Sequence, residues 1–133
     1  MELELESLVA AARAAQEKAY APYSGYRVGC ALLGGDGRIF SGCNVENRSF
    51  GLSLCAERVA VASAIVAGCR DYRMLVVLTP SEPPGTPCGL CRETLIEFGP
   101  PDLPIVLIGA NGTRRDHVLS DLLPEPFQFE PTQ

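Results

Sequence analysis

A chain of 133 residues, 47% of them apolar, with a formal charge of −5, has material for one hydrophobic core and too little for two. Its acid excess disfavours the clustered Lys and Arg that non-specific nucleic-acid binding requires. The opening Met1-Glu2-Leu3-Glu4-Leu5-Glu6 is acidic where a secretory signal would be basic, and no apolar run approaches the length of a membrane span, so a cytoplasmic protein with no membrane partner is expected.

In chain order, Leu3, Leu5, Leu8, Val9, Ala12 and Ala15 recur mostly three and four residues apart, which predicts an amphipathic helix over 3–20. Ala21-Pro22-Tyr23-Ser24-Gly25 breaks it. Tyr26 to Leu33 is short and apolar, Gly34-Gly35-Asp36-Gly37 is a turn, and Arg38 to Cys43 returns as the second strand of a hairpin. The apolar run ends at the polar segment Gly42-Cys43-Asn44-Val45-Glu46-Asn47, at a strand terminus where loops often carry binding groups. Leu54 to Ala67 repeats Ala, Val and Ile at helical spacing with Gly68 as a stop. That places Cys55 and Glu57 in the first turn.

Met74 to Leu78 reads as a buried strand emptying into a loop, Thr79 to Pro87, and a helix runs from near Cys88 to Phe98. Pro104 to Ile108 is a further strand, Asn111-Gly112 is a two-residue turn, and Thr113 to Val118 pairs back. A short helix is expected around Ser120, and residues 124–133 form a Pro-rich surface tail. Strand-helix-strand-helix-strand favours parallel pairing across the middle. The expectation is one domain over 1–133, an α/β fold built as a three-layer α/β/α sandwich on a mixed five-stranded sheet.

Six cysteines without an export signal are better read as thiols or metal ligands than as disulfides. Cys55-Ala56-Glu57-Arg58 and Pro87-Cys88-Gly89-Leu90-Cys91-Arg92 supply one thiolate and a Cys-x-x-Cys pair. Three protein ligands on zinc leave the fourth tetrahedral position to solvent, the pattern of a catalytic site. Glu57, two residues past the first ligand, can exchange protons there. Helix N-termini stabilise thiolates. Three of them on a divalent ion still leave about one net negative charge, which Arg58 and Arg92 are placed to offset by hydrogen bonds to sulfur.

Blander readings stand beside this one. Cys-x-x-Cys also occurs in structural zinc and thiol-redox sites, but a structural site needs a fourth ligand, and the sole histidine, His117, lies on a distal strand as an exposed or capping residue. A redox dithiol would leave Cys55 and Glu57 without a task. Cys30, Cys43 and Cys69 read as small buried residues. Asn44 and Glu46, two apart, can point the same way and bind a vicinal diol. Tyr26, Phe50 and Phe127 are core or surface cover by default, and at an active site each can stack on a planar base.

Taken together, the run from Tyr20 to Leu32, Gly42-Cys43-Asn44-Val45-Glu46-Asn47, the two cysteine boxes and the stretch Leu122 to Phe127 resemble the short, three-cysteine cytidine deaminases. The boxes belong to the wider zinc deaminase superfamily, and Asn44-Val45-Glu46 narrows the resemblance to nucleosides. It implies a cytidine deaminase-like fold, one zinc ion per subunit, and hydrolysis of cytidine and 2'-deoxycytidine with release of ammonia, a step of pyrimidine salvage. The residue matching Glu57 takes a proton from water, protonates ring N3 and helps the C4 amino group leave. Asn44 and Glu46 match the pair that holds the ribose hydroxyls, and the backbone around Ala56 and Thr86 matches groups that read the base edge.

Tyr26 stands where the family usually has Phe beside the pyrimidine. The resemblance also implies a homotetramer with shared active sites, in which Phe50 and Phe127 act in trans. Departures are Arg48 for a small residue near the sugar, Phe50 for Tyr, Cys30 for Ala and Glu93 for Gln. Arg48 and Phe50 motivate an alternative, deamination of a modified or antibiotic cytosine nucleoside such as an N4-substituted cytidine or a blasticidin S-like compound. A non-enzymatic zinc or redox protein is the other alternative, and polynucleotide editing is disfavoured for want of basic, aromatic-interleaved segments.

Overall fold

The apolar spacing near the N-terminus becomes helix α1, Glu2–Glu17, in a computed structural model that describes residues 2–129. It stops three residues before the expected end. The Tyr20 N–H leaves the helix to donate to the Asn44 carbonyl at 3.0 Å. The next strand starts later than its apolar run for a related reason. Asn44 Oδ1 accepts the Val28 N–H at 2.9 Å and Asn44 Nδ2 donates to the Tyr26 carbonyl at 2.7 Å, so one side chain takes up backbone groups that a ladder would otherwise use. Strand β1 is Gly29–Gly34 and pairs antiparallel with β2, Ile39–Cys43.

A single 3-10 turn at Phe50–Leu52 leads to α2, Ala56–Val66, then β3, Tyr72–Leu78, and α3, Gly89–Phe98. Strand β4, Pro104–Ile108, strand β5, Arg114–Val118, and the short α4, Leu119–Leu122, complete the order. The five strands form one sheet in the order β2-β1-β3-β4-β5. Parallel pairing is confined to β3 and β4, and β1 pairs antiparallel with β3. The expectation of parallel strands across the middle needs that correction. The hairpin reverses the chain, and the crossover through α2 inserts β3 beside β1, so β3 runs with β2 but against its actual neighbour.

The sheet is covered on both faces. Leu8 and Ala12 of α1 bury Ala31, Leu33, Met74, Val76 and Val106 on one side. Ala60, Val61 and Ala64 of α2, with Leu95 of α3 and Leu119, bury Cys30, Leu32, Leu75, Val77, Ile105 and Leu107 on the other. Strand β1 is therefore buried throughout and reads as a continuous apolar run.

Two glycines set how closely the helices approach. A Cβ at Gly29 would lie 2.1 Å from the Ala12 carbonyl oxygen, and one at Gly42 would lie 2.4 Å from that of Ala56. The second contact rests the first turn of α2 directly on β2, which fixes the level at which Glu57 leaves its helix. Cys30 and Cys69 are buried as expected, whereas Cys43 is only half-buried at the end of the outer strand β2. His117, expected to be exposed or capping, is half-buried on β5 opposite Ile105. Residues 124–129 carry no helix or strand, and the rest of the expected tail, 130–133, lies outside the described residues.

Candidate metal and catalytic site

Cys55 and Cys88 are the N-cap residues of α2 and α3, and neither side chain hydrogen-bonds its own helix end. Their sulfurs face each other instead. The approach to α2 is set by a bridge in which Val45 and Leu54 exchange backbone hydrogen bonds of 2.9 and 2.8 Å, which also holds Leu54 out of the helix. Cys91, in the first turn of α3, completes the group. The Cys55–Cys88 and Cys88–Cys91 Sγ separations are both 3.5 Å, and all three sulfurs lie within 4.8 Å of one another.

Tetrahedral zinc with Zn–S bonds of about 2.3 Å requires sulfurs about 3.8 Å apart, so the donor set fits the ion in type and spacing. No fourth protein ligand joins the cluster among the described residues. Within the described residues these three thiols leave one position of a tetrahedral ion without a protein ligand.

The thiols share charge unevenly. Cys55 is brought down to about 5 by hydrogen bonding from the Cys91 thiol, then from Cys88 and Arg58, against the opposing effect of burial. Cys91 is raised, because it donates to Cys55 and is buried beside Glu57. A divalent cation that takes all three as thiolates displaces the remaining protons.

The two arginines differ. Arg58 donates through Nη2 to the Ser53 carbonyl at 2.9 Å, its charge favours the Cys55 thiolate, and its Nε is buried with no hydrogen-bond partner. An orphaned donor of this kind calls for an explanation, and thiolate charge beside it supplies one. Arg92 departs from the expected contact with sulfur. It donates to the Pro87 carbonyl (2.7 Å), the Leu122 carbonyl (2.7 Å) and Thr86 Oγ1 (3.1 Å), and so braces the turn that presents Cys88.

A cavity of about 260 Å³ opens beside the cysteines, its lining including Cys55, Ala56, Glu57, Thr79, Thr86 and Cys88 together with Tyr26, Asn44, Glu46, Ser53 and the apolar Val28, Leu54 and Val77. Glu57 is 5% exposed. Burial, with the neighbouring Cys55 charge, raises its proton affinity above the usual carboxylate range. Cys30, the departure on β1, is buried close enough to Glu57 for that carboxylate to push its thiol up after burial itself.

Asn44 and Glu46 line the cavity and also build its wall. Glu46 accepts hydrogen bonds from the backbone N–H groups of Tyr23 (3.0 Å) and Ser24 (3.1 Å) and from the Ser24 hydroxyl. The hydroxyl leads in holding this carboxyl below its ordinary value. The second Nδ2 hydrogen of Asn44 and the remaining lone pairs of Glu46 stay available to a ligand.

The structure does not bring Phe50 or Phe127 into this cavity. Phe50 is 76% exposed and meets Tyr23 edge-to-face at 6.3 Å, and Phe127 is 75% exposed beside Glu93, Ile96 and Glu97 of α3. Sequence reasoning missed Val28, Ser53, Leu54, Val77 and Thr79. Thr79 had a usable signal, since it is the first residue after a buried strand, where loops often carry ligand contacts.

A sequence model of the cytidine and deoxycytidylate deaminase zinc-binding region matches residues 3–107. The chain is 39% identical over 128 residues to a cytidine deaminase of Sporosarcina psychrophila, covering 96% of this chain and 94% of that one. A cytidine deaminase crystal structure from Burkholderia pseudomallei superposes with a TM-score of 0.88 at 48% identity, over 92% of this chain and 98% of the other. A blasticidin-S deaminase of Bacillus cereus is more distant, 29% identical over 107 residues, 74% of this chain and 75% of that one.

Proposed function

The chain belongs to the cytidine and deoxycytidylate deaminase family, and from that premise we propose that it hydrolyses cytidine and 2'-deoxycytidine to the uridine products and ammonia. It is a zinc enzyme, and Cys55, Cys88 and Cys91 would hold the ion. Zinc, when bound, acts as a Lewis acid that makes water a nucleophile near neutral pH. The observation that carries the reading is the position of Glu57: buried, with raised proton affinity, beside the three thiols and on the same cavity as Asn44 and Glu46.

A carboxylate with raised affinity is suited to accept a proton and return it within one turnover. Glu57 takes a proton from water and delivers it to ring N3 as oxygen adds at C4, then takes the remaining proton from the C4 hydroxyl and passes it to the amino nitrogen as the C4 carbonyl forms and the C4–N bond breaks. One water is consumed and one ammonia leaves. Backbone groups of Ala56 and Thr86 read the base edge, Asn44 and Glu46 take the sugar hydroxyls, and the Tyr26 ring covers the base. Phe50 and Phe127, exposed and outside their own chain's cavity, are suited to complete the site of a neighbouring subunit in a homotetramer. A role in cytoplasmic pyrimidine salvage accords with this chemistry and with the lack, among the described residues, of a helix able to cross a membrane.

The alternative substrate, a modified or antibiotic cytosine nucleoside, is favoured by Arg48, Phe50 and the distant likeness to the blasticidin-S deaminase. It stands second because the cytidine deaminase likeness is stronger and covers more of the chain. Ammonia release from cytidine, 2'-deoxycytidine, N4-substituted cytidines and blasticidin S by the zinc-loaded protein separates the two. Glu57→Gln should keep its zinc and lose on the order of 100-fold or more in kcat. Normal turnover in that variant would sink the assigned role.

A further inference from the structure

The rim of the cavity is joined across two loops far apart in sequence. Tyr26 Oη and Ser81 Oγ lie 2.9 Å apart, Ser81 Oγ and Thr79 Oγ1 lie 3.3 Å apart, and Thr79 Oγ1 accepts the Gly85 N–H at 2.9 Å. Glycine at 85 is what admits the tyrosine hydroxyl, since a Cβ there would come within 2.7 Å of Tyr26 Oη. The loop that carries Ser81 is itself held from behind. The Ala110 N–H donates to the Ser81 carbonyl at 3.2 Å, and Glu82 Oε2 accepts the N–H groups of Asn111 at 2.5 Å and Thr113 at 3.4 Å. Ser81 is thus a fixed post, and Tyr26, which lines the cavity and is 38% exposed, is tied to it.

We propose that Ser81 is a positioning residue for substrate: through the Tyr26 hydroxyl it holds the Tyr26 ring in the orientation that covers the bound base. This rests on the reading of Tyr26 as the aromatic wall of the nucleoside site. An untied ring would have to be ordered when the nucleoside binds, and a tied one is ordered beforehand, so the bond contributes to affinity more than to the chemical step. Ser81 does not line the cavity and acts only through its partner.

The test is steady-state kinetics on zinc-loaded protein, with uridine binding measured by calorimetry. Ser81→Ala should raise KM for cytidine and Kd for uridine by about three- to tenfold, with kcat within about twofold of wild type. Ser81→Thr, which keeps a hydroxyl, should restore both. Tyr26→Phe should reproduce the rise in KM and Kd, and the double variant should be no worse than Ser81→Ala alone, because Ser81→Ala already removes the Tyr26–Ser81 bond, along with the Ser81–Thr79 contact. Unchanged KM and Kd in Ser81→Ala, or losses that multiply in the double variant, overturn the proposal while leaving the function intact. Wild-type protein that neither deaminates cytidine nor binds uridine overturns the functional reading, and this inference with it.

Discussion

Arg58 and Arg92 follow ligand cysteines in nearly the same way along the sequence, yet they do different things. Arg58 lies three residues past the N-cap Cys55, and Arg92 lies four past the N-cap Cys88. One extra residue turns a side chain about 100° further round the helix, which carries Arg92 away from sulfur and onto the Pro87 and Leu122 carbonyls. Arg58 stays beside the thiols with an unsatisfied buried Nε. Arg58→Ala should therefore weaken zinc retention by about 10- to 100-fold in competition with a chelator, and unaltered retention would remove Arg58 from the charge balance of the site. The meeting of the three cysteines next to Glu57 was legible because it is written in local spacing. The division of labour between the arginines was not, since it depends on where each helix begins to within one residue.

At the scale of elements, hydrophobic period was enough to place α1, the hairpin, α2 and β3, because each buries a face that the sequence repeats. The loop from Thr79 to Pro87 has no period, and its shape depends on partners some thirty residues away. Strand order was equally hidden, since both hairpin strands offer an edge to which β3 could add. Asn44 shows a third limit, one polar side chain shortening β1 by taking its backbone partners.

The loop's dependence on Glu82 has a measurable sign. The Thr113 side chain, then the backbone N–H groups of Asn111 and Thr113, hold the Glu82 carboxyl below its ordinary 4.5 against some desolvation. A carboxyl depressed in the fold stabilises it above the unfolded pKa and loses that contribution as pH falls through the folded value. Wild type should melt above Glu82→Gln at pH 7, and the two melting curves should converge as pH drops below about 4. A difference in Tm that persists undiminished at pH 3 would show that charge on Glu82 is not what secures the loop.

The whole molecule leaves large apolar side chains in solvent, among them Phe50 and Leu52 on the 3-10 turn, and Phe127 and Phe129 on the tail beside Glu93, Ile96 and Glu97 of α3. Exposed apolar groups that cluster can mark association surfaces, and closed symmetry would place such a surface against a copy of the chain. If Phe127 completes a neighbour's cavity, two defective chains should repair each other. Phe127→Ala removes an aromatic contact from the adjacent site and should cost about three- to tenfold in kcat/KM, whereas Glu57→Gln disables only its own. When the two variants are unfolded together and reassembled at equal amounts, roughly a quarter of the sites regain an intact Glu57 and an intact Phe127 by random pairing. The kcat/KM of the mixture, measured below KM, should then exceed the average of the two variants reassembled separately. A mixture that returns only that average, from particles shown by sedimentation to be hybrid tetramers, would place Phe127 outside the neighbouring subunits' active sites, because subunits that share no residues cannot complement.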